Sequence, residues 1–170
     1  MRKASPEDLL FVSKSPKDRL DYLAAGASLV ERTGYDVRQL RIKAALDRLH
    51  LAGLFLKDAK TLSAAGTSLN RTVVSRAYYA MYHSLRAATF LSYGGDDHEQ
   101  HTVLPSKVPT DFPDHAIWQN ALKNARLERN RADYDPYPRH DRQFEQTAQS
   151  LVSEASKLIA LTRAYIRSKS

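Results

Sequence analysis

The chain has no cysteine, so disulfides and thiolate metal centres are excluded, and nothing ties the fold to an oxidising compartment. Glycine is sparse, at six residues in 170, and no phosphate-cradling glycine loop, nucleophile elbow or set of paired metal carboxylates is present. Kinase, hydrolase and polymerase readings therefore find no support. Long hydrophobic runs are missing as well. The start, MRKASPEDLL, has no apolar stretch of signal-peptide length, and no run approaches a membrane span, so a cytoplasmic protein with no membrane partner is expected.

What is present is charge and helical periodicity. Lys and Arg outnumber Asp and Glu by 26 to 19, a formal charge of +7 that favours polyanionic partners such as RNA, DNA or an acidic protein. At 170 residues, 42% of them hydrophobic, the chain is long enough for one domain with a sizeable core.

No alternating strand pattern occurs, and the reading is all-α: a bundle of four to five main helices behind short N-terminal helices. Residues 1–35 read as a helical extension and 36–170 as the bundle. SPED at Ser5 and SPKD at Ser15 each offer Ser at N-cap, Pro at N1 and Asp at N3, and so predict two short helices. From Asp36 to about Ala65 a long amphipathic helix is expected, with Leu46, Leu49, Gly53 and Leu56 on one face and Gly66 at its end. A second long helix, from about Leu69 to Ser92, carries the seam Val74, Tyr78, Met81, Leu85 and Ala88. Small flanks at Ala77, Ala80, Ser84 and Ala87 let a neighbour approach it closely. Gly94 and Gly95 stop it, and 94–113, with Pro105, Pro109 and Pro113, reads as an irregular connection or lid. A shorter helix follows from about Asp114 to Asn130, reset by Pro136 and Pro138. The last runs from about Asp141 to Arg167 on an apolar face of Ala148, Leu151, Val152, Ala155, Leu158, Ile159 and Ile166.

The segments with chemical character are SRAYYAMYHSLRAATFL on the second long helix and RLERNRADYDPY about forty residues later. In this order and spacing they resemble the HEPN domain, an all-α family of prokaryotic toxin, defence and nucleotide-handling proteins. The resemblance covers roughly 40–165. It implies a homodimer whose polar motifs face one cleft, often encoded beside a small nucleotidyltransferase, and in many members a metal-independent ribonuclease; other members bind nucleotides or partners without turnover. In such a pairing an exposed Tyr134 or Tyr137 becomes a modification target.

The family signature is an arginine, commonly followed by a polar residue, then a histidine after four to six intervening positions. Arg129 and Asn130 supply the first half, and Tyr134 stands in place of the histidine. Metal-free RNA cleavage needs a proton acceptor for the ribose 2′-hydroxyl and a cation for the developing charge. Arg129 supplies the cation, and Tyr134 is a hydrogen-bond donor but a poor base. Arg76 and His83, six intervening residues apart on the tyrosine-rich helix, repeat the numerical spacing. His83 facing Arg129 across the cleft is one candidate pair, while a satisfied, partly buried histidine is the plainer reading.

The catalytic candidates are thus Arg129, Asn130, Tyr134 and His83. The RNA- or nucleotide-binding candidates are Arg76, Tyr79, Tyr82, Arg126, Arg131 and Tyr137, with Arg129 and Arg131 able to clamp a phosphate and Tyr79 and Tyr82 to stack a base. Tyr78 belongs to the core seam. The competing reading makes RNRADY an internal network, in which Asp133 and Asp135 neutralise the arginines and Tyr134 packs on the core. His98, His101 and His115 fall in or beside the proline-bearing connection and read as loop residues, with no metal and no cofactor expected. The main function expected is a toxin or defence protein acting on RNA; the alternative is a non-catalytic nucleotide- or partner-binding module.

Overall fold

The computed structural model describes residues 4–65, 69–96 and 98–169. Among them are six α-helices and no strand. Residues 1–40 and 41–170 form two separate compact units.

In the first unit, α1 (Pro6–Lys14) begins as the sequence predicts. The Ser5 hydroxyl accepts from the Asp8 amide at 3.1 Å, and the Asp8 carboxylate accepts from the Ser5 amide at 2.9 Å. The second serine does something else. Ser15 ends α1, donating its hydroxyl to the Phe11 carbonyl at 2.8 Å, and Pro16 is the extended residue from which α2 (Lys17–Thr33) starts. At 17 residues α2 is also longer than expected, closing on Gly34 in the left-handed region at φ 70°. Neither helix has a buried residue.

Four long helices make the bundle: α3 (Val37–Ala64), α4 (Asn70–Tyr93), α5 (His115–Tyr134) and α6 (Glu145–Ser168). The α3 seam is Ala45, Leu49, Ala52, Leu56 and Ala59. Leu46, assigned to that face from its spacing, is instead 41% exposed, because the seam follows the alanines one position back. The helix end expected at Gly66 lies outside the described residues.

Helix α4 is the central element, packed against both α5 and α6. All five residues of its predicted seam are buried, and so are the flanking Ala77, Ala80, Ser84 and Ala87. Small side chains on those flanks are what allow neighbours to close in. Between α4 and α6, the buried Ser84 hydroxyl donates to Thr162 at 2.9 Å, so neither polar group is stranded in the core. Gly94 caps α4 at φ 76°, and a Cβ there would stand 2.8 Å from the Arg41 guanidinium. The left-handed backbone is what favours glycine here, since the Arg41 side chain can swing away from a Cβ.

Two polar segments depart from expectation. The connection after α4 contains a short 3-10 helix at Leu104–Lys107 and buries Leu104, Val108 and Phe112, so it belongs to the core. Helix α5 does not stop at Asn130 but continues to Tyr134, ending where Asp135 turns extended at ψ 131° ahead of Pro136. A 3-10 turn, Asp141–Phe144, leads into α6, where six of the seven predicted apolar-face residues are buried and Val152 is partly so.

Candidate functional site

The extra turn of α5 has a chemical consequence: it puts Asp133 and Tyr134 on the same helix as Arg129, which faces the tyrosines of α4. Arg129 donates from Nη2 to the Tyr79 hydroxyl at 2.9 Å and from Nη1 to the Asn130 side-chain oxygen at 3.2 Å. Its Nε forms an ion pair with Asp133 at 2.6 Å, one helical turn on. The guanidinium carbon also lies 5.4 Å from the Tyr79 ring centre and 5.2 Å from that of Tyr134, within cation–π range of both. Burial alone lowers an arginine pKa, but the oxygens of Tyr79, Asp133 and Tyr134 outweigh it, and the Arg129 cation is held above its ordinary value. The arrangement is a fixed, fully charged guanidinium with an aromatic wall.

Tyr79 is one edge of a larger aromatic cluster. Phe55 of α3 stacks on Tyr79 at 5.4 Å and on His83 at 5.2 Å, and the Arg76 guanidinium covers the Phe55 ring at 5.5 Å. On the other side, the connection after α4 folds back over the helix and brings in His101. Its imidazole stacks on Tyr82 at 4.2 Å with 17° between the planes, and its Nδ1 lies 2.6 Å from the hydroxyl of the fully buried Tyr78. Tyr82 donates its hydroxyl to the Glu99 carbonyl, and Arg86 lies over the Tyr82 ring at 5.4 Å.

The electrostatics follow from this crowding. Burial pushes the Tyr78 phenol far above its ordinary pKa, so it remains a neutral hydroxyl. Burial, then the positive charges of Arg129, Arg126 and Arg86, push the His101 imidazole below its ordinary value. His101 is accordingly biased to the neutral imidazole, because burial and the surrounding cations disfavour the added proton.

A model of the HEPN domain matches residues 45–165, well over half of the chain. The chain belongs to the HEPN family. No curated protein and no solved structure matches it.

Measured against the HEPN pattern, Arg129 and Asn130 sit together at the α4–α5 face with Tyr79, and Tyr134 lies under the same guanidinium. Tyr134 is 69% exposed and so does not pack on the core, although Asp133 does neutralise Arg129 as the competing reading expected. His83 is half-buried between Phe55 and Tyr82, and the Tyr79 ring touches both His83 and Arg129. Tyr82 and Arg126 lie on the His101 side.

Two expected members face elsewhere. Arg131 pairs with Glu128 at 3.8 Å and covers Phe144 at 5.5 Å, because residues two apart on a helix point to opposite sides. The joint clamp of Arg129 and Arg131 is therefore not formed. Tyr137, past the end of α5, contacts Arg139 instead of the cluster. His101, read as a loop residue from sequence, is the member that was missed. Only its place two residues before the apolar Val103-Leu104 pair, which pulls the connection into the core, hints at its position.

Proposed function

We propose that this HEPN protein acts on RNA in a toxin or defence setting, taking a single-stranded phosphodiester against Arg129 with its bases on the neighbouring rings. The carrying observation is the seating of Arg129 on the Tyr79 hydroxyl, which fixes a cation beside a run of aromatic faces. A guanidinium recognises phosphate oxygens, and aromatic faces accept unpaired bases of any sequence. Arg76, Arg86, Arg126 and Arg129 outnumber the carboxylates of Glu99 and Asp133 in the cluster, so the local field favours an anion. In this reading Arg129 and Asn130 bind the reacting phosphate, with Tyr134 and His83 beside them. Tyr79, Tyr82, Arg76 and Arg126 hold the flanking nucleotides.

The bundle at 36–170 is the acting domain, and 1–35 is an N-terminal helical extension. HEPN domains often dimerise, and a homodimer here would set two such faces together. A nucleotidyltransferase partner fits the same setting, with the exposed Tyr134 and Tyr137 within a modifying enzyme's reach.

The non-catalytic reading has one observation in its favour: Asp133 already pairs with Arg129, and the signature histidine is replaced by Tyr134. Fluorescence anisotropy with single-stranded RNA separates binding from its absence. Arg129→Ala is expected to weaken binding by about tenfold or more. An Arg129→Ala protein that stays folded and binds RNA as tightly as the parent would sink the proposal.

A further inference from the structure

We propose that the His101 imidazole, brought beside Arg129 by the connection between α4 and α5, is the proton acceptor for cleavage of the RNA bound there. The inference rests on the RNA reading above and adds turnover to it. Its base is a histidine outside the signature segment, on a different element from Arg129.

The placement is what carries it. His101 and Arg129 approach one Tyr79 side chain, the imidazole centre 6.0 Å from the ring centre and the guanidinium carbon 5.4 Å from it. Tyr79 thus ties the positions of the two groups together. The imidazole itself is held by stacking on Tyr82 and by the Tyr78 contact at Nδ1, and among the described residues Nε2 has no hydrogen-bond partner. A ring fixed through one nitrogen with the other open is the arrangement a general base needs. In the reactive tautomer Nδ1 carries the hydrogen and donates it to the Tyr78 oxygen, which leaves the Nε2 lone pair available.

The imidazole is surrounded by groups from three segments. These are Tyr78, Tyr79, Tyr82 and Arg86 from α4 and Arg126 and Arg129 from α5, while the Glu99 carboxylate of its own connection lies 3.9 Å from Arg86. The arginines and burial together lower its proton affinity, so the base form prevails at neutral pH. His83, the alternative base, stacks on Phe55 of α3 and stands edge-on to Tyr82, whereas His101 lies flat on Tyr82 and within the field of Arg129.

The step balances without any further reactant. Nε2 takes the proton of the ribose 2′-hydroxyl as the 2′-oxygen forms a bond to phosphorus, while Arg129 stabilises the charge on the non-bridging oxygens. The bond from phosphorus to the 5′-oxygen breaks, and that oxygen takes a proton from water. The imidazolium returns its proton to the hydroxide, leaving a 2′,3′-cyclic phosphate and a 5′-hydroxyl.

The test measures binding and cleavage of end-labelled single-stranded RNA in EDTA, side by side. His101→Asn keeps a polar atom near the Nδ1 position but has no titrating nitrogen; His101→Ala removes the ring; His50→Ala, on the exposed side of α3, is the control. Both His101 variants are expected to cleave about 100-fold or more slowly while RNA affinity stays close to that of the parent. Added imidazole should restore part of the rate to His101→Ala, which a purely structural role does not predict. Arg126→Gln removes a cation facing the ring, so the rise of rate with pH should move to higher pH. Cleavage by His101→Asn at the parent rate overturns the proposal. So does a parent protein that binds RNA and never cleaves it, an outcome that leaves the RNA-binding reading standing. Absence of RNA binding by the parent overturns that reading, and this inference with it.

Discussion

Asp141 caps a helix that starts seventy-one residues earlier: its carboxylate accepts from the Asn70 backbone amide at 2.7 Å and from the Arg71 amide at 3.0 Å. Helix α4 has no cap of its own, since Leu69 occupies the N-cap position without a side-chain hydrogen bond. Asp141 supplies both the hydrogen-bond acceptor and the negative charge that a helix N-terminus favours. Asp141→Ala should therefore lower stability by about 1–2 kcal/mol, the range for losing a good N-cap. Chemical denaturation checks this, and an unchanged midpoint would show that the cap is replaced by solvent.

Arg71 works in the opposite direction, from α4 onto the end of α5. Its Nη1 donates to the carbonyls of Ala132 at 2.8 Å and Asp135 at 2.9 Å, its Nη2 donates to Pro138 at 2.6 Å, and the guanidinium covers Phe144 at 4.4 Å. The carbonyls of Ala132 and Asp135 are ones that the end of a helix leaves without internal partners, and that of Pro138 belongs to the segment after it. A lysine keeps the charge but loses the planar fork that reaches several of them at once. Arg71→Lys is expected to lower the melting temperature and, because Arg129 lies within the same final turns of α5, to weaken RNA binding about threefold to tenfold. A lower melting temperature with unchanged affinity would make Arg71 a structural clamp alone.

How much of this was legible in advance depends on where the information sits. The α4 seam could be read because Val74, Tyr78, Met81, Leu85 and Ala88 keep one helical period and a glycine in the left-handed region ends it. The last turn of α5 could not, because Arg131, Ala132, Asp133 and Tyr134 carry no apolar period and their helix is held by Arg71 from another element. The opposition of Arg129 and Arg131 was available from their spacing of two. His101 was not available, since its stacking on Tyr82 arises only once Leu104 and Val108 draw the connection into the core.

The separation of Arg129 from Arg131 makes the salt dependence of RNA binding informative. Each phosphate neutralised on a single strand contributes a slope of about −0.7 to log affinity against log salt. Arg76→Gln and Arg126→Gln should each flatten the slope by about that amount if the residue meets a phosphate. Arg131→Gln should leave it nearly unchanged, because that side chain is turned towards Glu128 and Phe144. A slope that falls for Arg131→Gln and for neither of the others would place the RNA on the opposite face of α5.

At the other end of the bundle, stability should have an alkaline limit set by Tyr165. Its hydroxyl donates to the Asp111 carboxylate at 2.8 Å, and Lys169 reaches the same carboxylate at 2.6 Å. Burial, with the Asp111 charge adding to it, pushes the phenol up to about 12. The unfolded phenol titrates near its ordinary value of about 10, so the native state retains a proton that the unfolded state has lost. The stabilisation is complete below that ordinary value and disappears as pH rises to the folded one. Tyr165→Phe removes the titrating group but keeps the ring contact with Phe112 at 5.2 Å. Its denaturation midpoint should therefore decline less steeply than the parent's between about pH 10 and 12, and parallel declines would assign the alkaline loss to other groups.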